Sequence, residues 1–240
     1  MLSKASIGYF GIDHSVELIQ MIRLVEAILE SDFDVHLPES SASTFEYLSK
    51  NFQLDYQIGL EGIPLLKDIS ISHKQPLCSI GTINRPLIFS HQLVNKCREK
   101  WSKDRSIKFI FCGLMTKKRK KILEDWVLSC FKRKISLISQ TESRNLLKLI
   151  FYYLKNSVHQ NQAILKEIGV YIFASKKGRI LPYKAWDEDY YNMLSKSRFV
   201  LCPNGDHVWT YRFFESILCG AIPVVEGNFP ISPGRQQVIP

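Results

Sequence analysis

The chain has 240 residues, of which 45% are hydrophobic and 12% aromatic, enough for a real core in one large α/β domain or two small ones; a disordered chain is excluded. A formal charge of +9 and a pI near 9.2 favour anionic partners, among them sugar nucleotides, acidic glycans, anionic lipid surfaces and nucleic acid, and do not choose between them. Six cysteines, at 78, 97, 112, 130, 202 and 219, form no CxxC pair and fall mostly inside apolar runs, which is the usage of buried hydrophobes in a reducing compartment and not of a disulfide framework.

The start, Met1 to Ser6, leads directly into a strand-like run without a signal-peptide core, and no stretch approaches the roughly 18 apolar residues that span a bilayer. The expectation is a soluble, cytoplasmic protein or a trimmed fragment. Ile7-Gly8-Tyr9-Phe10-Gly11 reads as a first strand, 15–30 as a helix with a broad apolar face, and Phe33 to Leu37 as a second strand, which together make a βαβ opening to a parallel sheet. A helix is predicted near 43–51 and a short strand at Tyr56-Gln57-Ile58. From Leu60 to Thr82 the signals are weak, with Gly62, Pro64 and Pro76 marking loops. Pro86 suits the first turn of a helix running to about Trp101.

Ser102-Lys103-Asp104-Arg105-Ser106 is short and polar, and the lobe boundary is placed there, giving lobes at 1–101 and 107–240. The βα rhythm then restarts with a strand at Ile107 to Cys112, a Gly113 stop, and a helix lined by Ile122, Leu123, Trp126, Val127 and Cys130. Helices at 142–157 and 160–167, a strand at Val170 to Ala174 and a helix capped by Asp187 follow. No repeat of fixed period and no low-complexity tract is present.

The most informative stretch comes last. Phe199-Val200-Leu201-Cys202 is a continuous apolar run of the kind covered on both faces, and Pro203-Asn204-Gly205 ends it in a sharp turn. Thr210 suits an N-cap, Phe214, Ile217 and Leu218 recur at helical spacing, Gly220 fits the helix exit, and Ala221 to Val225 is a second buried strand. Arg212 and Glu215 lie one turn apart. Arg212 sits in the first turn, beside Tyr211, where unpaired N–H groups and the dipole already favour an anion, so guanidinium and helix end together suit a diphosphate. Glu215 suits the hydroxyls of a ribose. The same spacing also suits a solvated Arg–Glu pair worth only about 0.3–0.5 kcal/mol.

Ser197 to Pro203, with Gly205, Arg212, Glu215 and Gly220-Ala221-Ile222-Pro223-Val224-Val225, resembles the C-terminal signature of the exostosin-like glycosyltransferases, family 47. The resemblance covers about fifty residues well and the last 130 loosely, and related transferase families share its Arg, Glu and Gly-x-x-Pro pattern. It implies an α/β fold of GT-B type, two Rossmann-like lobes with parallel sheets, here with a reduced N-terminal lobe on the acceptor side. It implies a nucleotide-sugar donor held mainly by the C-terminal lobe, a glycan, glycolipid or other hydroxyl acceptor, and no cofactor or catalytic metal. Gly205 and Gly220 would then let backbone approach the donor closely.

Other constellations add candidates. Lys117-Lys118-Arg119-Lys120-Lys121 opens a predicted helix, where cations oppose the macrodipole, so either an anion bound beside Gly113 compensates them or they form a solvated basic face. Arg119 is singled out because Phe111-Cys112-Gly113 followed by Arg119 resembles the family's strand-Gly-x-Arg region, although the family often has Arg or another polar residue in place of Cys112. Asp187-Glu188-Asp189 is like a manganese-binding triplet but opens a helix, where carboxylates cap. Asp13 and His14 follow the first strand, and either could serve as catalytic base or simply begin a loop. Glu226 follows the last strand toward the same crevice, and His207 and Trp209 lie in the loop before the last helix. Scattered histidines give no zinc spacing. The charge also admits peripheral contact with an anionic membrane, and no specific nucleic acid is expected. The alternative is a non-catalytic anion-binding or nucleic-acid-binding module, or an inactive homologue.

Overall fold

The architecture grows from the apolar run at Ile107–Gly113, which forms β7. Its pleat sends Ile110 and Cys112 to one face of a sheet and Phe111 to the other, all three fully buried. Val200 and Leu201 of β10 (Ser197–Leu201) divide between the same two faces. In a computed structural model the described residues are 6–7, 19–30, 34–59, 69–71, 77–80, 83–86, 88–135, 162–165, 169–174, 180, 182–205 and 210–226.

Five strands form the main sheet in the order β11 (Ile222–Val224), β10, β7, β9 (Val170–Ala174) and β8 (Gln162–Leu165). β10 lies parallel to β11, with Phe199 opposite Ile222 and Leu201 opposite Val224, and parallel to β7, with Val200 opposite Ile110. β7 and β9 are also parallel, whereas β8 runs antiparallel at the edge. Leu123 and Val127 of α4 (Lys117–Ile135) cover one face together with Phe111, Val170, Ile172 and Leu201. The other face is covered by α5 (Glu188–Ser195) and α6 (Tyr211–Leu218), and further out by α1 (Ile19–Leu29). Helices on both faces of a parallel sheet are the doubly wound, Rossmann-type arrangement.

A second parallel sheet joins β1 (Ser6–Ile7), β2 (Asp34–Leu37) and β3 (Gln57–Ile58). α1 is buried on nearly every side, and its Ile22, Leu24 and Val25 belong to one cluster with Phe45 and Leu48 of α2 (Ala42–Ser49) and with Ile110, Trp186, Tyr191 and Val200. Buried side chains from both sides of residues 102–106 therefore share a core. Among the described residues no helix is long and apolar enough to cross a membrane.

Between Leu60 and Thr82, where the sequence signals are weak, lie β4 (Ile69–Ile71) and β5 (Leu77–Ile80), which form an antiparallel meander with β6 (Ile83–Pro86); Gly62, Pro64 and Pro76 lie outside the described residues. Two sequence expectations need correction. Pro86 closes β6 opposite Leu77 and opens no helix. α3 (His91–Glu99) begins after Ser90, whose Oγ accepts from the Leu93 amide at 3.3 Å. Gln162–Leu165 is a strand, because pairing with the open edge of β9 outweighs the weak helical preference of so short a run. The helix expected at 142–157 lies outside the described residues.

The segment expected to link two lobes is bonded to the main sheet. Trp101 Nε1 donates to Leu218 O at 2.7 Å, and Arg105 donates to Ser197 O at 2.6 Å and to Cys219 O at 3.1 Å. α6 ends there in a left-handed Gly220 (φ 70°), with Gly220 N–H bonded to Ile217 O and Ala221 N–H to Ser216 O, the paired bonds of a Schellman motif. A Cβ at Gly220 would stand 2.6 Å from Arg105 Nη2 and 2.9 Å from Trp101 Cε2. Gly220→Ala is therefore expected to lower the free energy of unfolding by about 1–2 kcal/mol from the backbone conformation alone, and by more if Arg105 cannot move, which the urea midpoint reads. An unchanged midpoint would show that this helix end relaxes freely.

Candidate functional site

Chain order reverses at β7: β9 is added on one side of it and β10 on the other. In open α/β sheets the crevice outside the carboxyl ends at such a point is where ligands bind. Here it holds a cavity of about 260 Å³, lined by Cys112 and Gly113 at the end of β7, Arg119 of α4, Tyr190 of α5, and Thr210 and Arg212 at the start of α6, among others.

Arg212 is only 7% exposed. Its Nε donates to Cys112 O at 2.6 Å, its guanidinium carbon lies 4.5 Å from the centre of the Phe111 ring, and its buried Nη1 has no hydrogen-bond partner among the described residues. Gly113 makes that path possible: it has φ 141°, and a Cβ there would overlap Arg212 Nη2. Thr210 occupies the N-cap position with extended backbone but makes no capping bond through its side chain, and its buried Oγ1 likewise lacks a partner among the described residues. A cation with an open donor thus stands at a helix N-terminus, an arrangement that favours an anion twice over.

Glu215 lines the same cavity. Its Oε2 accepts from Tyr190 OH at 2.7 Å and its Oε1 from Tyr191 OH at 3.0 Å, and the same Oε1 lies 3.6 Å from Arg23 Nη2 of α1. Burial, with Glu215 beside them, holds both phenols protonated far above the usual tyrosine range, so they act as donors. Arg212 and Glu215 are both buried, which removes the solvated-pair reading.

The remaining candidates separate. Arg119 lines the cavity and donates to Leu114 O at 3.1 Å, and a Cβ at Gly205 would lie 2.5 Å from its Nη2, so Gly205 permits close approach of the loop after β10 to α4. Lys118 Nζ donates to Gly205 O at 3.0 Å and Lys120 lies 3.8 Å from Glu124, so part of the basic run is bonded within the fold. Tyr211 lines the cavity. Glu226 accepts from the Asn204 amide at 2.8 Å and so pins the loop after β10. Gly220 sits at the opposite end of α6, about 12 Å from the cavity end by the rise of eight residues. Asp187 caps α5 through the Tyr190 amide at 3.2 Å and also contributes to the cavity wall. Asp13, His14, His207 and Trp209 lie outside the described residues.

Sequence reasoning overlooked Arg23, Tyr190 and Tyr191. A usable signal was present: Arg23 and Glu26 are the charged residues of a largely apolar helix and stand one turn apart, and charges placed on a core-facing helix need partners.

The four described thiols, Cys97, Cys112, Cys202 and Cys219, are free and buried. Burial pushes Cys202 up to about 11 and raises Cys112 as well, despite Arg212 nearby. Both should resist a thiol reagent at pH 8 in the folded protein and react on denaturation; fast native labelling would mean that this sheet edge opens. Above its ordinary value of 9.0 the unfolded chain releases the Cys202 proton first. Its contribution to stability is thus complete below pH 9 and falls by about 2–3 kcal/mol as pH rises to about 11.

No curated protein and no solved structure matches this chain. The family model described as the Exostosin GT47 domain matches residues 45–233, a span that takes in β3 to β11 and the whole C-terminal cavity wall. With well over half of its length matched and a parallel α/β sheet of GT-B-like, Rossmann type carrying an anion-ready crevice, the chain belongs to the exostosin GT47 family of glycosyltransferases.

Proposed function

We propose that the chain moves a sugar from a nucleotide-sugar donor to a hydroxyl of a glycan or similar acceptor, with the donor diphosphate held in the crevice between β7 and β10. The observation that carries this reading is the buried Arg212 Nη1, without a partner among the described residues, at the N-terminus of α6 and at the switch point of the sheet. Arg212 and Arg119 would take the phosphate oxygens. Glu215 keeps lone pairs beyond the two phenols for a ribose hydroxyl. Gly113 and Gly205 make room for the Arg212 and Arg119 guanidiniums, Glu226 fixes the loop that carries Gly205, and Gly220 ends the helix that carries Arg212.

In the proposed reaction the acceptor oxygen forms a bond to the anomeric carbon as the bond from that carbon to the diphosphate oxygen breaks. The electron pair leaves with the nucleoside diphosphate, and Arg212 with the helix end stabilises the charge that develops there. Two guanidiniums and a helix end supply the positive charge, so the route asks for no metal. The acceptor proton passes to a base, for which Asp13 and His14 are the candidates. The nucleic-acid alternative loses ground because Lys118, Arg119 and Lys120 are partly engaged inside the fold.

A panel of nucleoside diphosphates and nucleotide sugars should reveal one nucleotide that raises the melting temperature, equivalent to about 2.7 kcal/mol at a hundredfold excess over Kd. Arg212→Ala should abolish that shift and lower kcat about 100- to 1000-fold. A panel without any shift, or near-normal turnover by the variant, would overturn the reading.

A further inference from the structure

α1 precedes the family-matched span, yet it delivers a charge to the wall of the crevice. Arg23 is 1% exposed. Its Nη1 donates to Glu26 Oε2 at 2.8 Å, and its Nη2 donates to Ala185 O at 2.6 Å and to Tyr191 OH at 2.8 Å, 3.6 Å from Glu215 Oε1. Arg212 is one helical turn from Glu215, close enough for an intrahelical pair. No such pair forms: Arg212 is bonded to the Cys112 carbonyl and lies over Phe111, and the cation paired with Glu215 is Arg23. Two guanidiniums and two carboxylates are therefore buried together, with both carboxylates leaning on Arg23.

We propose that Arg23 is a positioning residue for the anion site: from outside the cavity it neutralises Glu215 and so leaves the Arg212 guanidinium uncompensated for a diphosphate. The proposal rests on the reading of the crevice given above. Without Arg23 the Glu215 charge stands one turn from the bound anion in a poorly screened interior, and repulsion replaces neutrality. Burial raises the pKa of Glu26 and Arg23 opposes that rise, so this carboxylate too is held by Arg23. Arg23 touches no ligand in this scheme. It acts through Glu215 and Tyr191.

The test is calorimetric titration of the full chain with inorganic pyrophosphate, which has no ribose and so reads Glu215 only through its charge, and in parallel with the nucleoside diphosphate that best stabilises the protein. R23M should weaken pyrophosphate binding about tenfold or more. For pyrophosphate, R23K, which keeps the charge, and the double variant R23M/E215Q, which removes both charges, should each return to within about threefold of the unmodified protein. A purely structural Arg23 would leave the double variant as weak as R23M or weaker, and that result overturns the proposal, as does R23M binding normally. If the unmodified protein binds neither ligand, the reading of the crevice fails and this proposal falls with it; normal binding that ignores Arg23 defeats the proposal alone. Should R23M not fold, the double variant decides by itself, and failure of both to fold marks Arg23 as structural and overturns the proposal.

Discussion

A guanidinium buried beside a carbonyl and an aromatic face, with one donor left open, is costly to fold around. Moving an ion from water into a protein interior costs several kcal/mol even after relaxation, and one neutral acceptor returns only part of it. Arg212 sits in that condition, satisfied through Nε by the Cys112 carbonyl and by the ring of Phe111 below it. Much of the neighbourhood follows from holding it there. β7 must end at a residue without a side chain, because Gly113 is crossed by the guanidinium. α6 must begin where it does, since its first turn aims Arg212 back across the sheet at β7. Glu215, the nearest acid on the same helix, must be engaged elsewhere, and two phenols and Arg23 engage it.

Such strain is what a binding site stores before its ligand arrives. In the proposed complex the Arg212 donor that has no partner among the described residues would gain a hydrogen bond from the anion, and that gain would appear as affinity. The buried Trp186 ring stacks on Tyr191 with centroids 4.3 Å apart and meets Phe52 edge-on, which packs the start of α5 tightly. Rigid aromatic packing here does the work of preorganisation.

How much of this was legible in the sequence depended on whether the deciding contact was local. β7, β9, β10 and β11 announced themselves through short apolar runs, and Asn204-Gly205 and Gly220 punctuated them. Arg212 could be placed at a helix start because the turn residues before it fixed that start. By contrast β4, β5, β6 and β8 are strands of three or four residues whose state is decided by a partner strand, so periodicity alone misread or missed them. Pro86 illustrates the ambiguity of one residue type: it suits the first turn of a helix and equally the end of an edge strand, and the ladder with Leu77 settled it. Arg23 meets Tyr191 across 168 positions, a distance at which no local pattern speaks.

The tie between Trp101, Arg105 and the far end of α6 makes that helix a short lever held at its heel and its toe. The heel is gripped by the segment that follows α3, and the toe by the carbonyl of β7. A rod with only two turns between such anchors cannot bend appreciably, so a tug on the connector arrives at the guanidinium as travel along the axis. Residues 101–105 thereby help to set where the first turn of α6 and its guanidinium stand relative to the end of β7.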